Sequence, residues 1–361
     1  MGQTYQGTYK MSTNHILDNL NYIKNIDVTN MSDRIAKTTA MLNAVFETSI
    51  SLQNTDAPSD VILAGMGGSA IASDLLNDYI GGNATIPTTV IREPELPYTP
   101  SSQTLLVVNS FSGNTEESIS VFHKGYEAGC RIVVVTGGGK LESLAKNHNI
   151  PLIKMDITGE PRSVVPYHFL ILIRLFVLLN LATLDKLEIQ DTLTSVNRCI
   201  TEYAMESTIP NNLAKQLAIQ LQNKFPCIYG GGLFKGMTLR WKTQINENSK
   251  SMCLNDYIPE LFHNTIESVQ EYESFNSNLF VLVIEPKQNP TWLQKRYSTL
   301  EKVLSDNGIK HHFIKSEFSN KLEQIMCMMT LSDYTSFYLG ILKNVDPAST
   351  EVIESVKKMM S

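Results

Sequence analysis

The sequence has few of the residues that mark metal centres and disulfide-stabilised folds. Its five cysteines are scattered over 361 residues, with no C-x-x-C pair and no histidine at metal-ligand spacing. They are Cys130, Cys199, Cys227, Cys253 and Cys327. This pattern argues against a disulfide framework and a zinc site. It predicts reduced thiols in a cytoplasmic protein that holds no metal.

Positive charge and long apolar runs are also scarce. The net charge is −6 and the pI is about 5.7, so we expect no nucleic acid partner. The most apolar stretch, 169–182, is interrupted by Arg174 and Asn180 and falls short of the ~18 apolar residues of a membrane-spanning helix. We therefore expect no membrane partner and no secretory signal at the polar N-terminus. The helix predicted over 164–184 is expected to be buried between domains or subunits, so that polar substitutions in it would give monomers.

Strand-like and helix-like segments alternate along the chain, and the pattern occurs twice. The first 55 residues predict helices, and β-branched runs then follow at 61–64, 88–91, 105–108 and 131–135. After about residue 185 the pattern restarts, with strands predicted at 227–229, 278–284 and 310–314. Apolar strands between amphipathic helices predict parallel sheets covered on both faces. We therefore predict two doubly wound α/β domains, over 1–185 and 186–361, with an N-terminal helical segment and a C-terminal helix.

The most informative stretch follows one of these strands and reads Ser110-Phe-Ser-Gly-Asn-Thr115. Three hydroxyls, Ser110, Ser112 and Thr115, crowd a turn before a helix, for which Asn114 and Glu117 predict an N-cap and capping box. Hydroxyls, free backbone N–H groups and the positive end of a helix dipole together favour a phosphate monoester. The loop has no lysine or arginine, so a sugar phosphate fits better than a nucleotide.

A second turn, Gly65-Met-Gly-Gly-Ser-Ala70, follows an earlier strand. It fits the dinucleotide pattern G-x-G-x-x-G/A, but Glu93 lies beyond the usual spacing of about 20 residues for a ribose ligand. The alternatives are a tight strand–helix turn or a second phosphate-binding turn, to which Gly67, Gly68 and Ser69 would contribute.

Together the two turns resemble the SIS (sugar isomerase) domain, a flavodoxin-like three-layer fold that holds the phosphate of a phosphosugar. Three further segments resemble the bifunctional phosphoglucose/phosphomannose isomerase family, over roughly residues 40–361. They are Arg240-Trp-Lys-Thr-Gln-Ile-Asn-Glu-Asn-Ser-Lys250, Glu160-Pro-Arg162 and Asn344-Val-Asp-Pro347. The resemblance implies two tandem SIS domains, no cofactor, a phosphosugar substrate and a homodimer with sites near the subunit interface.

The resemblance also implies roles for individual residues in a reaction through a cis-enediolate. Glu247 would transfer the proton, and Arg162 would stabilise the intermediate. His263 and Lys357 would assist ring opening, His263 in the neighbouring subunit's site. Thr350 resembles a threonine linked to acceptance of mannose 6-phosphate.

Plainer interpretations of these residues stay open at the level of sequence. Glu247 could pair with Lys242 or Lys250 on its own helix, and Arg162 could be solvated. A histidine beside an aromatic residue is more often structural, and the chain reads His263-Asn-Thr265 where the family usually has His-Asn-Glu. Lys357 resembles an ordinary solvated lysine, and Lys358 could be its equivalent.

Two other functions compete with a glucose 6-phosphate and mannose 6-phosphate isomerase. One is a non-catalytic phosphosugar sensor, since SIS domains also serve as ligand-binding modules. It would need neither Glu247 nor Arg162, and no DNA-binding or partner domain is visible. The other is an enzyme of an amino-sugar phosphate, for which the sequence shows no glutaminase domain.

Overall fold

The structure is a computed structural model that describes residues 15–271 and 278–360. The part of the predicted N-terminal helical segment at 1–14 lies outside the described residues. The α-helices are α1 (Leu20–Ile26), α2 (Met31–Ala36), α3 (Thr38–Glu47), α4 (Gly67–Ile80), α5 (Glu116–Glu127), α6 (Gly139–Asn147), α7 (Val165–Leu178), α8 (Lys186–Tyr203), α9 (Leu213–Leu221), α10 (Lys235–Ser249), α11 (Thr291–Asp306), α12 (Lys321–Leu342) and α13 (Glu351–Met360). Short 3₁₀ turns cover Ile16–Asp18, Gly81–Asn83, Ile209–Asn211, Gly232–Phe234, Glu260–His263 and Thr265–Glu271.

The strands form two parallel sheets, which confirms the predicted fold class. The strands are β1 (Asp60–Ala64), β2 (Thr88–Ile91), β3 (Thr104–Ser110), β4 (Arg131–Thr136), β5 (Leu152–Lys154), β6 (Phe225–Gly231), β7 (Leu254–Ile258), β8 (Leu279–Glu285) and β9 (His311–Lys315). Their orders are β2-β1-β3-β4-β5 and β7-β6-β8-β9, with every pair parallel. The first predicted domain holds one sheet and the second predicted domain the other.

Apolar sequence explains the central strand of the first sheet. All seven residues of β3 are buried, because helices cover both faces of a parallel sheet. Two strands were absent from the sequence prediction. β5 has only three residues, and β7 carries the polar sequence Leu-Asn-Asp-Tyr-Ile at the edge of the second sheet.

The apolar helix α7 packs inside its own chain. Its residues from Val165 to Ile173 are all buried, and it contacts α3 and α4. The predicted burial is thus provided over 165–173 by the same chain, and the subunit contact expected for this helix stays a prediction.

Helix α12 is the most buried of the described helices, with every residue after Lys321 buried. Among the described residues it alone is long and apolar enough to cross a membrane, and its apolar window is completely buried inside the protein. Asn320 and Glu323 form a capping box at its start. It packs along α8 and along α10, the helix that carries Glu247.

Candidate active site

The hydroxyl-rich turn lies at the carboxyl end of β3, directly before α5. Ser110 Oγ lies 2.8 Å from Thr115 Oγ1 and accepts a hydrogen bond from the Gly113 backbone N–H at 3.1 Å. Ser112 Oγ accepts the Asn114 N–H at 3.3 Å. Gly113 has φ +67°, and a Cβ there would lie 1.7 Å from a backbone oxygen, so only glycine fits. The turn thus gathers three hydroxyls at a helix N-terminus.

The predicted cap of α5 is wrong in detail. The helix begins at Glu116 with Thr115 in the N-cap position, and no side chain caps it. Asn114 Oδ1 instead accepts the backbone N–H of Lys140 at 3.1 Å. The first turn of α5 therefore keeps its backbone N–H groups free of a side-chain cap.

The glycine turn lies on the neighbouring strand of the same sheet. Ala64 at the end of β1 pairs with Val108 in β3, so both turns leave the same edge of the sheet. Gly67 has φ +51° and begins α4, and Ser69 is buried in the first turn of that helix. Two helix N-termini and their hydroxyls therefore lie side by side.

The segment that carries Arg162 packs directly against this glycine turn. A Cβ on Gly68 would lie 2.7 Å from the Pro161 carbonyl oxygen, so the close approach requires glycine at this position. Arg162 is the next residue along the chain, which places it beside the candidate phosphate site.

Arg162 and Glu247, 85 residues apart in sequence, form an ion pair. Arg162 Nη1 lies 3.3 Å from Glu247 Oε2, and the arginine side chain is 5% exposed against 29% for the glutamate. Arg162 is thus a buried cation rather than a solvated one. Glu247 pairs with it and not with a lysine of its own helix. Within the described residues, Glu247 Oε1 makes no hydrogen bond and is available to a substrate.

Arg162 is held by further acceptors that no sequence pattern indicated. Its Nε donates to Asn248 Oδ1 at 2.7 Å, and its Nη2 donates to the carbonyl oxygens of Pro347 and Ala348 at 3.0 and 2.9 Å. These bonds compensate a cation placed at the unfavourable N-terminal end of α7. Asn248 in turn donates to Ser336 Oγ at 2.9 Å, which anchors the arrangement on α12.

A second buried ion pair lies behind Glu247 on α10. Arg240 Nη2 donates to Asp333 Oδ1 at 2.6 Å, and Gln244 Nε2 donates to the same oxygen at 2.7 Å. Burial lowers the pKa of Arg240 and raises the pKa of Asp333, and each partner's charge offsets only part of that shift. Arg240, Gln244 and Glu247 follow each other at helical spacing, so this pair supports the face that carries the glutamate.

His263 is exposed to solvent in a single chain. It ends the 3₁₀ turn Glu260–His263 after β7, in which Leu261 is buried, and no hydrogen bond or ion pair within the described residues joins His263 to Glu247. Thr265, where the sequence departs from the family pattern, donates its hydroxyl to the Asp256 carboxylate. The threonine therefore holds this turn against β7.

Thr350 and Lys357 lie on the C-terminal segment. Thr350 Oγ1 lies 3.4 Å from Glu354 Oε1 at the start of α13, two residues beyond the carbonyl of Ala348 that Arg162 binds. Lys357 is exposed on α13, and within residues 15–271 and 278–360 nothing hydrogen-bonds it to Arg162 or Glu247. Thr350 thus follows the segment that binds Arg162 by two residues, while Lys357 lies on the exposed helix beyond it.

The matching turn of the second sheet is closed by a tyrosine. Tyr297 Oη accepts the Gly231 N–H at 2.8 Å and lies 3.1 Å from the Ile284 carbonyl. In the turn around Gly230-Gly-Gly232 the Gly231 N–H is therefore occupied by a tyrosine from α11. Nowhere in the described ranges are three or more His, Cys, Asp or Glu side chains placed to hold a metal ion.

Comparisons with known proteins identify related sequences. The profile of the bacterial phospho-glucose isomerase C-terminal SIS domain matches residues 210–360. A bifunctional phosphoglucose/phosphomannose isomerase of Caldicellulosiruptor bescii is 32% identical over 307 residues, covering 83% of this chain and 89% of the relative. The protein of the same name from Thermoplasma acidophilum is 26% identical, covering 84% and 90%.

A solved structure supports the fold independently. The C-terminal domain of glucosamine-fructose-6-phosphate aminotransferase from Francisella tularensis superimposes with a TM-score of 0.66, covering 96% of this chain and all of that one. The two sequences are 15% identical, so this likeness bears on the fold alone.

Proposed function

The chain belongs to the bifunctional phosphoglucose/phosphomannose isomerase family, and from this premise we propose that it interconverts glucose 6-phosphate and mannose 6-phosphate with fructose 6-phosphate. The observation that carries the proposal is the Arg162–Glu247 pair, held beside two hydroxyl-bearing helix N-termini. A sugar phosphate needs both parts, one for its phosphate and one for its reacting carbons.

The phosphate group is assigned to the two turns at the edge of the first sheet. Ser110, Ser112 and Thr115 offer hydroxyls from one turn, and Ser69 offers a hydroxyl from the other. The N-termini of α4 and α5 add backbone N–H groups and dipoles that favour an anion. No step at the phosphate is needed, so this half of the site only binds and orients.

The proton transfer is assigned to Glu247. Its carboxylate would remove the proton from C2 of the open-chain aldose and return it to C1, with the electron pair held meanwhile on the cis-enediolate. Arg162 Nη1 already lies 3.3 Å from Oε2, and its charge would stabilise the developing oxyanion. The reaction moves the C2 proton to C1 and the O2 hydroxyl proton to O1, and it requires no external electron donor or acceptor.

Ring opening is assigned to His263 and Lys357, supplied across a homodimer. In one chain, α13 leaves its apolar side chains in solvent, with Val352 77% and Met359 80% exposed. An amphipathic helix without an apolar partner suits a subunit contact. Both ring-opening candidates lie on exposed segments, His263 after β7 and Lys357 on α13 itself.

A mixed dimer tests whether His263 serves the neighbouring subunit. A dimer of two His263→Ala chains and a dimer of two Glu247→Gln chains should each have little activity. In co-expressed protein, each mixed dimer would contain one site with both residues intact and one site with neither, so about half of wild-type activity is expected per mixed dimer. Coupled assays on purified, tag-selected mixed dimers measure this directly. If the mixed dimers are no more active than the parents, His263 does not act across the interface.

Removing a phosphate-binding hydroxyl should weaken binding more than chemistry. In Ser110→Ala we expect the KM for fructose 6-phosphate to rise about tenfold, because a hydrogen bond to a charged group contributes about 1.5 kcal/mol or more, and kcat to change less than threefold. Ser120→Ala is the matched control, since Ser120 lies on α5 but donates to the Pro94 carbonyl. An unchanged KM in Ser110→Ala contradicts the assignment of the phosphate.

The function itself is tested by turnover of fructose 6-phosphate in the presence of EDTA, with glucose 6-phosphate detected by a dehydrogenase. We expect activity that EDTA does not remove, and then activity on mannose 6-phosphate. Saturable binding of fructose 6-phosphate without turnover would instead indicate a phosphosugar sensor. Turnover of glucosamine 6-phosphate alone would indicate the amino-sugar alternative.

A further inference from the structure

Lys250 ends the helix that carries Glu247, in a conformation that lysine rarely adopts. It is the C-cap of α10 and has φ +51° and ψ +33°, the left-handed region where glycine is the usual residue. A non-glycine residue there costs about 1 kcal/mol or more. A long cationic side chain therefore occupies a backbone position that glycine would adopt at a lower conformational cost. This cost indicates that the side chain has a function.

The ammonium group of Lys250 lies among backbone carbonyls from two parts of the chain. Its Nζ donates to the Glu247 carbonyl at 2.7 Å, to the Asp346 carbonyl at 2.9 Å and to the Ser349 carbonyl at 2.7 Å. The Pro347 carbonyl lies slightly farther away, at 3.4 Å. An ammonium has three N–H donors, and here all three have a carbonyl acceptor within 2.9 Å.

Arg162 donates hydrogen bonds to the neighbouring carbonyls of the same stretch of chain. Its Nη2 donates to Pro347 and Ala348, so every carbonyl of 346–349 accepts a hydrogen bond from one of the two cations. We call these four residues the 346–349 segment. It leads directly into Thr350 and α13, so the two cations fix the start of the C-terminal element relative to Glu247.

We propose that Lys250 is a positioning residue, which ties the 346–349 segment to the end of α10 and so holds Thr350 and Glu247 in one arrangement for the reaction. This inference rests on the proposed function, because it assigns Lys250 a role in that same site. Lys250 touches neither substrate phosphate nor reacting carbon in this account. Its effect is carried by backbone carbonyls.

Removing the ammonium should lower kcat and leave phosphate binding nearly intact. For Lys250→Met we expect kcat with fructose 6-phosphate to fall 10- to 100-fold and KM to stay within threefold. Lys250→Gly should lose as much, although glycine suits the left-handed turn, and this separates the side chain from the backbone. Lys250→Arg should recover much of kcat, because a guanidinium can also donate to several carbonyls.

Lys343 provides a matched control at the same surface. Its Nζ donates to the Lys250 carbonyl at 3.3 Å and to Ser251 Oγ at 2.9 Å, but not to the 346–349 segment. Lys343→Met removes a neighbouring ammonium and should change kcat less than twofold. A general effect of surface charge would lower kcat in both variants alike.

The pH profile adds a readout that a purely structural role would not move. Partial burial and then the nearby Arg162 charge lower the pKa of Lys250 to about 8, while Asp346, Glu247 and Glu351 favour its charged form. Above that pH the neutral amine has two donors for three carbonyls, so kcat should fall as pH rises through about 8. In Lys250→Arg this alkaline fall should move to higher pH, because arginine stays protonated.

Hydrogen exchange separates failure of this inference from failure of the proposed function. In Lys250→Met and Lys250→Gly, without substrate, the amides of Ala348 and Glu354 should exchange faster, because they bond to Asp346 Oδ1 and the Thr350 carbonyl. An inactive wild type with this exchange change would overturn only the function. Wild-type turnover with unchanged exchange, and kcat within twofold in both variants, would overturn the role of Lys250.

Discussion

Glu247→Gln is expected to lower kcat for fructose 6-phosphate about 10³-fold and to change KM less than threefold. Glutamine keeps the size of the side chain and can still accept a hydrogen bond from Arg162, but it cannot take a proton from carbon. Loss of a positioned general base typically costs 10²- to 10⁴-fold. The expectation is specific because Oε2 faces Arg162 at 3.3 Å while Oε1 is left for the substrate.

Binding distinguishes this loss from misfolding. Calorimetric titration of Glu247→Gln with fructose 6-phosphate should give an affinity close to that of the wild type, since the hydroxyl turns after β1 and β3 are untouched. A variant that retains more than about a tenth of wild-type kcat would show that another group moves the proton.

Asp333→Asn is expected to destabilise the protein by about 3–5 kcal/mol, a large share of the stability of a typical domain. The substitution leaves Arg240 charged and completely buried without a carboxylate partner, and it removes the charge that Gln244 also binds. Urea unfolding followed by circular dichroism measures the change in the free energy of unfolding.

A double variant checks the physical reason for this loss. Replacing both charges with apolar side chains of similar size, as in Arg240→Met with Asp333→Leu, removes the unpaired charge and should recover most of the lost stability. If Asp333→Asn costs less than about 1 kcal/mol, the ion pair does not support α10 in the way its burial implies.

Local sequence signals predicted both sheets and the position of the hydroxyl-rich turn, because both depend on neighbouring residues. The buried run of β3 and the hydroxyls of 110–115 lie in one short stretch, and the structure places that turn at the strand end. The predicted cap at Asn114 was wrong, because its side chain bonds to Lys140, 26 residues away. Such a partner depends on the tertiary fold and leaves no local pattern.

The residues assigned to proton transfer could not be predicted from local sequence patterns. Arg162 and Glu247 were identified only through the family resemblance, since 85 residues separate them. The pair Arg240–Asp333 and the bonds from Lys250 to carbonyls of 346–349 join segments more than 90 residues apart, and neither was predicted. The burial of α7 was predicted for a related reason, but apolar sequence does not indicate which surface covers the helix.

The most direct test of the account is the fate of the transferred proton. Fructose 6-phosphate is incubated with the purified protein in D₂O, and both sugars are followed by NMR. Transfer through Glu247 and an enediolate predicts deuterium at C2 of part of the glucose 6-phosphate formed, and none with Glu247→Gln. Glucose 6-phosphate formed without deuterium in either sugar, or formed equally fast by Glu247→Gln, would contradict it.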